Sequence, residues 1–428
     1  MPHLTLLDTS EQTRARAAPR VTAPAPLPAP SAHPPVRALY IHVPFCVHKC
    51  HYCDFYSITG ADDRQRAFTD RLIDELAVLA PHAGGLPLRT IFVGGGTPTL
   101  LHADLWAGCL LPALHRLFDL SAMGPGKGGE FTVECNPETA SSGLFAALAA
   151  GGVNRISVGA QSFDRRHLKT LERWHDPDSV PRALELARAA GIERQSLDLI
   201  FGIPGQTAGQ WERDLRTALA LGAEHLSCYA LTYEPGTALA ARARAGAVAP
   251  ADEDQQAELF EMTGPILLAA GLERYEISNF ARPDAECRHN LAYWRQEQWL
   301  AAGPSASAHL YAGHDGAAGS WRWKNVARLG DYLASGGPSP ALDVEPPDPP
   351  RFVRERLMTG IRLREGLWAD GTLAQAEQVS PGAAAALDRA VSGLRAAGLV
   401  APGPRWRLTA EGLLLADSVA AELMGAVT

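Results

Sequence analysis

Three of the seven cysteines in this 428-residue chain, Cys46, Cys50 and Cys53, fall within eight residues. Three thiolates can each hold one iron of a [4Fe–4S] cluster and leave the fourth iron open to an outside ligand, whereas an electron carrier supplies four cysteines. The other chemistry this spacing allows is zinc, with His42, His48 or His51 completing a Cys₃His set, although structural zinc sites usually come as two separated pairs. Cys109, Cys135, Cys228 and Cys287 are scattered. An odd, clustered set in a long chain points to a reducing compartment and to metal ligation, not to disulfides.

Other residues invite a chemical reading. Gly94-Gly95-Gly96-Thr97 is a run in which glycines permit positive φ and let backbone approach a ligand, or simply make a tight turn. Glu134 offers a carboxylate of the kind that accepts ribose hydroxyls. Arg173 has a guanidinium suited to bidentate carboxylate recognition. Cys287-Arg288-His289-Asn290-Leu291-Ala292-Tyr293-Trp294 puts His289 and Tyr293 at i and i+4, on one face of a helix, with Trp294 adjacent. By itself such a histidine reads as a hydrogen-bonded core residue. An imidazole or the Cys287 thiolate can also ligate heme iron, beside aromatics that match a flat porphyrin.

The elements that must position these groups follow from periodicity. Short apolar runs at 38–43, 90–93, 131–135, 155–159, 196–201 and 225–230 alternate with helix-length amphipathic stretches, such as Phe68, Leu72, Leu76 and Leu79, or the segment entered at Ser179 with Pro181 in its first turn and closed by Gly191. Six βα units in series predict a parallel sheet, either doubly wound or curled into a partial barrel. In both cases the chemistry belongs at the carboxyl ends of the strands, and the cysteine triplet follows directly on the first.

C-x₃-C-x₂-C after a first strand resembles the signature of the radical S-adenosylmethionine (SAM) enzymes. That resemblance implies a (β/α) barrel, here a partial (β/α)₆ barrel in an α/β chain. It also implies a [4Fe–4S] cluster on Cys46, Cys50 and Cys53 whose open iron is chelated by the methionine end of SAM; injection of an electron then cleaves SAM to methionine and a 5′-deoxyadenosyl radical. The segments around Tyr40-Ile41-His42-Val43-Pro44-Phe45, Gly94–Thr99, Glu134-Cys135-Asn136-Pro137, Gly159-Ala160-Gln161-Ser162 and Asp198-Leu199-Ile200-Phe201-Gly202 are similar to the oxygen-independent coproporphyrinogen III oxidase group, from about residue 38 to the C-terminus. By that likeness Tyr40, Tyr52, Gly95, Gly96, Thr97, Glu134, Gln161, Arg173 and Asp198 are SAM contacts. One departure is Ser305, in Gly303-Pro304-Ser305-Ala306, where the group often has Gly-Pro-Gly-Ala.

Within the group, the oxidases end the cysteine loop with Cys-x-Cys, whereas this chain has Cys53-Asp54-Phe55. It resembles instead the heme-chaperone branch, HemW, whose proposed heme motif matches His289, Tyr293 and Trp294. The branch implies a protein that binds heme and hands it to acceptor hemoproteins, respiratory ones among the candidates. A flavodoxin or ferredoxin would serve as reductant if SAM is cleaved. The alternative is the oxidase itself, decarboxylating coproporphyrinogen III to protoporphyrinogen IX by radical chemistry.

Composition sets the outer bounds. With 39 basic against 47 acidic residues, a formal −8, no global positive field exists to gather nucleic acid or anionic lipid. Hydrophobic residues at 46% and charged residues at 20% suit a buried globular protein. No apolar run reaches the ~18 residues of a spanning helix, and a cytoplasmic location is expected. Residues 1–36 are Ala/Pro-rich and predict a disordered tail; 37–334 would form the barrel with a heme-binding extension, and 335–350, rich in Pro and Gly, a linker. Residues 351–428 predict helices and a hairpin at 399–408, a winged-helix-like unit. No Lys/Arg-rich recognition helix occurs in 383–395, so nucleic acid is not an expected partner.

Overall fold

The computed structural model describes residues 27–427 except 125 and 315. Six strands carry the architecture: β1 (Ala38–Val43), β2 (Thr90–Gly95), β3 (Glu130–Cys135), β4 (Arg155–Gln161), β5 (Arg194–Phe201) and β6 (His225–Ala230). Each is hydrogen-bonded in parallel to the next, in chain order and without reversal. A doubly wound sheet requires its strand order to reverse; this sheet therefore curls as a partial (β/α)₆ barrel, and the doubly wound alternative is excluded. Helices such as Gln65–Leu79 cover its outside, burying Phe68, Leu72, Leu76 and Leu79, each worth about 1.5–3 kcal/mol of transfer free energy.

Strand alternation decides what the barrel encloses. Ile41, Ile91, Val93, Phe131, Val133, Ile156, Val158, Leu197, Leu199 and Leu226 are buried in the apolar core. Their neighbours Tyr40, Phe92, Glu134, Arg155, Ser157, Asp198, His225 and Ser227 line an interior cavity. A strand can thus supply the packing core with one face and a polar chamber with the other.

The sheet extends at both edges. β7 (Glu273–Arg274) pairs antiparallel with β8 (Asn279–Ala281), which pairs antiparallel with β6; β9 (Leu300–Ala302) runs parallel to β1. Just beyond β9, Ser305 has φ +68°, a left-handed backbone that favours glycine. That is the physical content of the departure from Gly-Pro-Gly-Ala.

Two expectations about chain organisation are corrected. The end of the predicted tail is anchored to the fold: Val36 is buried, and the buried His33 hydrogen-bonds His82 through Nε2 and Nδ1 at 3.0 Å, while 29–32 stay exposed. Residues 1–26 of that tail lie outside the described residues. The predicted linker contains β12 (Ala341–Glu345), which joins β10 (Ser307–Tyr311) and β11 (Ser320–Asn325) in an antiparallel sheet. As an edge strand β12 tolerates the flanking prolines, and the next helix begins within the expected linker, at Pro349.

The C-terminal residues form their own apolar cluster, built on Val353, Leu357, Leu387, Val391, Trp406, Val419 and Leu423. Its helices include Pro349–Gly360, Ala369–Val379, Ala383–Ala396 and Ala416–Gly425. The hairpin at 399–408 is reduced to one antiparallel bridge, Val400 to Leu408, with backbone bonds from Ala401 N–H to the Arg407 carbonyl and from Thr409 N–H to the Leu399 carbonyl, while β14 (Arg405–Trp406) pairs with β13 (Leu367–Trp368). Pro402 and Pro404 have no N–H to give to a hairpin ladder. Among the described residues no helix is long and apolar enough to cross a membrane.

Candidate functional site

The barrel encloses a cavity of about 660 Å³, with the cysteine loop at its mouth and His289 among its walls. Cys46, Cys50, Cys53, Tyr40, Tyr52, Gly95, Gly96, Thr97, Glu134, Gln161, Arg173, Asp198, His289 and Tyr293 all line it. Of the expected cluster, SAM and heme contacts, only Trp294 is absent from the lining.

The three cysteines are free and partly buried. Burial pushes the Cys46 thiol up, and carries the Cys53 thiol up to about 11; metal ligation would supply the positive charge that drives such thiols to thiolates. Arg173 already supplies part of it, because its Nη1 donates to Cys50 Sγ at 3.5 Å. Its other nitrogens are spoken for as well: Nη2 donates to the Gly159 carbonyl at 3.0 Å and Nε to His175 Nδ1 at 3.2 Å. The guanidinium is therefore a cation held against the cysteine loop, not the open carboxylate fork its residue type suggested.

Of the histidines that would complete a zinc site, His42 and His51 are hydrogen-bonded elsewhere and the Nε2 of His48 is buried without a hydrogen-bond partner; among the described residues no group of three or more His, Cys, Asp or Glu is placed to hold a single metal ion. His42 Nδ1 meets Tyr40 Oη at 3.1 Å and its Nε2 meets the Tyr56 carbonyl at 2.8 Å. His48 stacks on Trp174 with ring centroids 4.0 Å apart, and His51 Nδ1 lies 3.3 Å from Arg242 Nη1. Three half-buried thiols facing a cavity, with a cation behind them, fit a cluster in which each sulfur takes a different iron.

The glycine run has a clear steric reason. A Cβ on Gly95, at φ +107°, would stand 2.5 Å from the His42 ring, and one on Gly96 would stand 2.7 Å from the Phe45 carbonyl. The end of β2 thus presses against the cysteine loop as only glycine can. The amides of this segment are already satisfied: Gly95 N–H donates to Glu134 Oε2 at 3.1 Å, Gly96 N–H to the Val43 carbonyl at 2.8 Å and Thr97 N–H to the Phe45 carbonyl at 2.7 Å. Thr97 Oγ1 also lies 3.6 Å from Cys46 Sγ.

Two buried carboxylates, Glu134 and Asp198, line the same chamber. Burial, and then the neighbouring Asp198, push the Glu134 carboxyl up to about 7. Asp198 is raised by burial too, and Ser157 Oγ donates to its Oδ2 at 3.2 Å. Gln161 closes β4 at φ +62°, a conformation that costs a non-glycine residue of order 1–3 kcal/mol and tends to occur at functional sites.

His289 is held at the other end of the cavity. The helix Arg288–Trp294 lays its ring near Phe92, centroids 5.5 Å apart, and edge-on to Tyr293 at 4.7 Å. Its Nδ1 meets the Thr90 hydroxyl at 2.9 Å, while Nε2 is buried with no hydrogen-bond partner. Burial lowers its pKa to about 3, so the ring is neutral and able to ligate a metal. Cys287 is the weaker candidate, because burial and the nearby Glu130 push its thiol up to about 12. Trp299, not Trp294, continues the aromatic series, at 4.3 Å from Tyr293.

The residues that sequence reasoning passed over are Thr90, Phe92 and Arg155. Thr90 and Phe92 share the inward face of β2, and Arg155 lies inward on β4; the period of two was the signal that could have found them.

Comparison with known proteins agrees with this picture. A family model described as the radical SAM superfamily matches residues 40–218. The chain is 37% identical over 393 residues to the heme chaperone HemW of Mycobacterium tuberculosis, covering 90% of this chain and 94% of that one. It is 36% identical over 342 residues to the heme chaperone HemW of Bacillus subtilis, covering 78% and 85%. In fold it is similar to the radical SAM enzyme coproporphyrinogen III oxidase (HemN) of Escherichia coli, with a TM-score of 0.76, 22% identity and coverage of 92% and 91%. With identity of this order sustained across both chains, the protein belongs to the HemW family of the radical SAM superfamily.

Proposed function

We propose that this protein is a heme chaperone: it binds heme, holds it through His289 and passes it to acceptor hemoproteins, while carrying a [4Fe–4S] cluster on Cys46, Cys50 and Cys53 together with SAM. The observation that carries the reading is the buried, unpartnered Nε2 of a neutral histidine set among aromatic rings at the end of the cavity. His48, His175 and His309 also have buried, unpartnered Nε2 atoms, but His289 is the one set between Phe92 and Tyr293 in the cavity wall, where a metal bond would satisfy it. Tyr40, Phe92 and Tyr293 supply flat apolar surface around it. Because Nε2 is buried, iron reaches it only if a neighbouring ring moves, which suits a site that must also release its cargo.

At the mouth, Cys46, Cys50 and Cys53 would hold the cluster, with Arg173 supporting the thiolate of Cys50. When bound, the cluster supplies one electron and an open iron site to SAM. Glu134 and Asp198 would accept the ribose hydroxyls, and the chain of hydrogen bonds from Gly95 to Glu134 and from Ser157 to Asp198 orients both carboxylates. Tyr40 and Tyr52 would close the sides of the pocket, with Gln161 at the end of β4. A cytoplasmic location, respiratory hemoproteins as acceptors and a flavodoxin or ferredoxin as electron donor complete the reading. So does the division of the chain into a barrel with its heme-binding extension and a C-terminal winged-helix-like unit.

The competing activity is oxidation of coproporphyrinogen III. The two separate in one experiment: anaerobically reconstituted protein is titrated with heme and, in parallel, incubated with coproporphyrinogen III, SAM and a reductant. The chaperone reading expects saturable heme uptake and no protoporphyrinogen; protoporphyrinogen formation overturns it.

A further inference from the structure

We propose that Thr90 is the positioning residue for the heme-ligating histidine, fixing both the plane and the tautomer of His289. The inference rests on the reading of His289 as the heme ligand. Thr90 opens β2 and is buried, with its hydroxyl oxygen 2.9 Å from His289 Nδ1. On the far side of the ring Nε2 is equally buried and has no partner.

A neutral imidazole carries one N–H, and a threonine hydroxyl can accept or donate. If Nδ1 donates to Thr90 Oγ1, Nε2 keeps its lone pair and is ready for iron. If Thr90 donates to Nδ1, the proton sits on Nε2, where a buried N–H points at no acceptor. The first arrangement avoids an orphaned donor, and it is the one found wherever a ligating histidine gives its second N–H to a neighbouring oxygen. The Phe92 and Tyr293 rings restrain the imidazole on its flanks, so the hydroxyl need only set rotation and proton position.

Thr90 and Phe92 stand on the same face of β2 as Gly94, whose strand then runs on into the Gly95-Gly96 contact with the cysteine loop. One strand thus orients the histidine at its start and supports the cluster loop at its end.

The test compares wild type, Thr90→Val, Thr90→Ser and His289→Ala as full-length, anaerobically reconstituted proteins titrated with ferric heme. Removing such a supporting hydrogen bond typically costs about 10- to 100-fold in metal affinity. Thr90→Val, equal in shape but without the hydroxyl, is expected to weaken heme binding by about that factor and to change the axial-ligand signature in resonance Raman and electron paramagnetic spectra. Thr90→Ser should restore both, with iron–sulfur absorbance unchanged throughout. The proposal is overturned if Thr90→Val binds heme with wild-type affinity and spectrum while His289→Ala loses it. If His289→Ala also binds as wild type, the ligand assignment falls and the positioning role with it.

Discussion

Arg173 and Cys50 are joined across the cavity mouth by a contact of 3.5 Å between Nη1 and Sγ, linking the turn after the helix Arg165–Thr170 to the middle cysteine of the triplet. Hydrogen bonds to charged groups contribute about 1.5–3 kcal/mol. Arg173→Met is therefore expected to speed iron loss to a chelator by about tenfold or more, followed by the decay of iron–sulfur absorbance. Loss at the wild-type rate would mean that the guanidinium does not support the thiolate.

Glu134 makes stability depend on pH. Its carboxyl is raised from an ordinary 4.5 to about 7, by burial first and Asp198 second. A carboxyl raised in the folded state favours folding while protonated, so its contribution is complete below the ordinary value and is lost as pH rises through about 7. Glu134→Gln should flatten the fall in melting temperature between about pH 5 and 8. SAM affinity, if the ionised carboxylate accepts the ribose hydroxyls, should rise over the same range in wild type and stay flat in the variant, as read by equilibrium dialysis.

Tyr40 makes the heme and SAM ends of the chamber neighbours: its ring centroid is 6.4 Å from that of His289, and it feels the charge of Glu134. The whole cavity, about 660 Å³, is within the roughly 300–1,000 Å³ typical of one small-molecule site. Saturating SAM is expected to weaken heme binding by about tenfold, and heme to weaken SAM binding by the same factor, since binding linkage is reciprocal. Independent binding in a two-way titration would show that the ligands occupy separate spaces.

The cysteine loop, the succession of six βα units and the His289–Tyr293 pair were legible because each depends on local spacing: three residues close in sequence, a period of two, and an i to i+4 step; whether those units wind doubly or curl into a barrel was not, because strand order is set by distant pairing. What was hidden depends on distant packing. Nothing near Arg173 in sequence says that its fork is spent on Cys50 and Gly159. The purpose of Gly95 and Gly96 is set by His42 and Phe45, some fifty residues away. β9, at Leu300–Ala302, is too short to show a period, and β12 is masked by the prolines and glycines on either side. Trp294 was grouped with His289 because it follows Tyr293 directly in sequence, whereas a helix turns adjacent residues to different faces.

Phe55 stands at the cavity mouth with 61% of its surface exposed, where the oxidases carry a cysteine. An exposed position of this kind usually changes stability by no more than about 0.5 kcal/mol. Phe55→Ala should therefore melt within experimental error of wild type, so that any change in heme transfer from this variant reports on the mouth. A large drop in melting temperature would show that Phe55 is a structural residue.

Whether the Nε2 of His289 ligates heme is read from an equilibrium titration of wild type and His289→Ala with ferric heme. Iron–sulfur absorbance is followed alongside. Wild type is expected to show a saturable single site and the variant a loss of affinity of about 100-fold or more, with the cluster intact in both. Equal heme affinity and an unchanged heme spectrum in His289→Ala would contradict it.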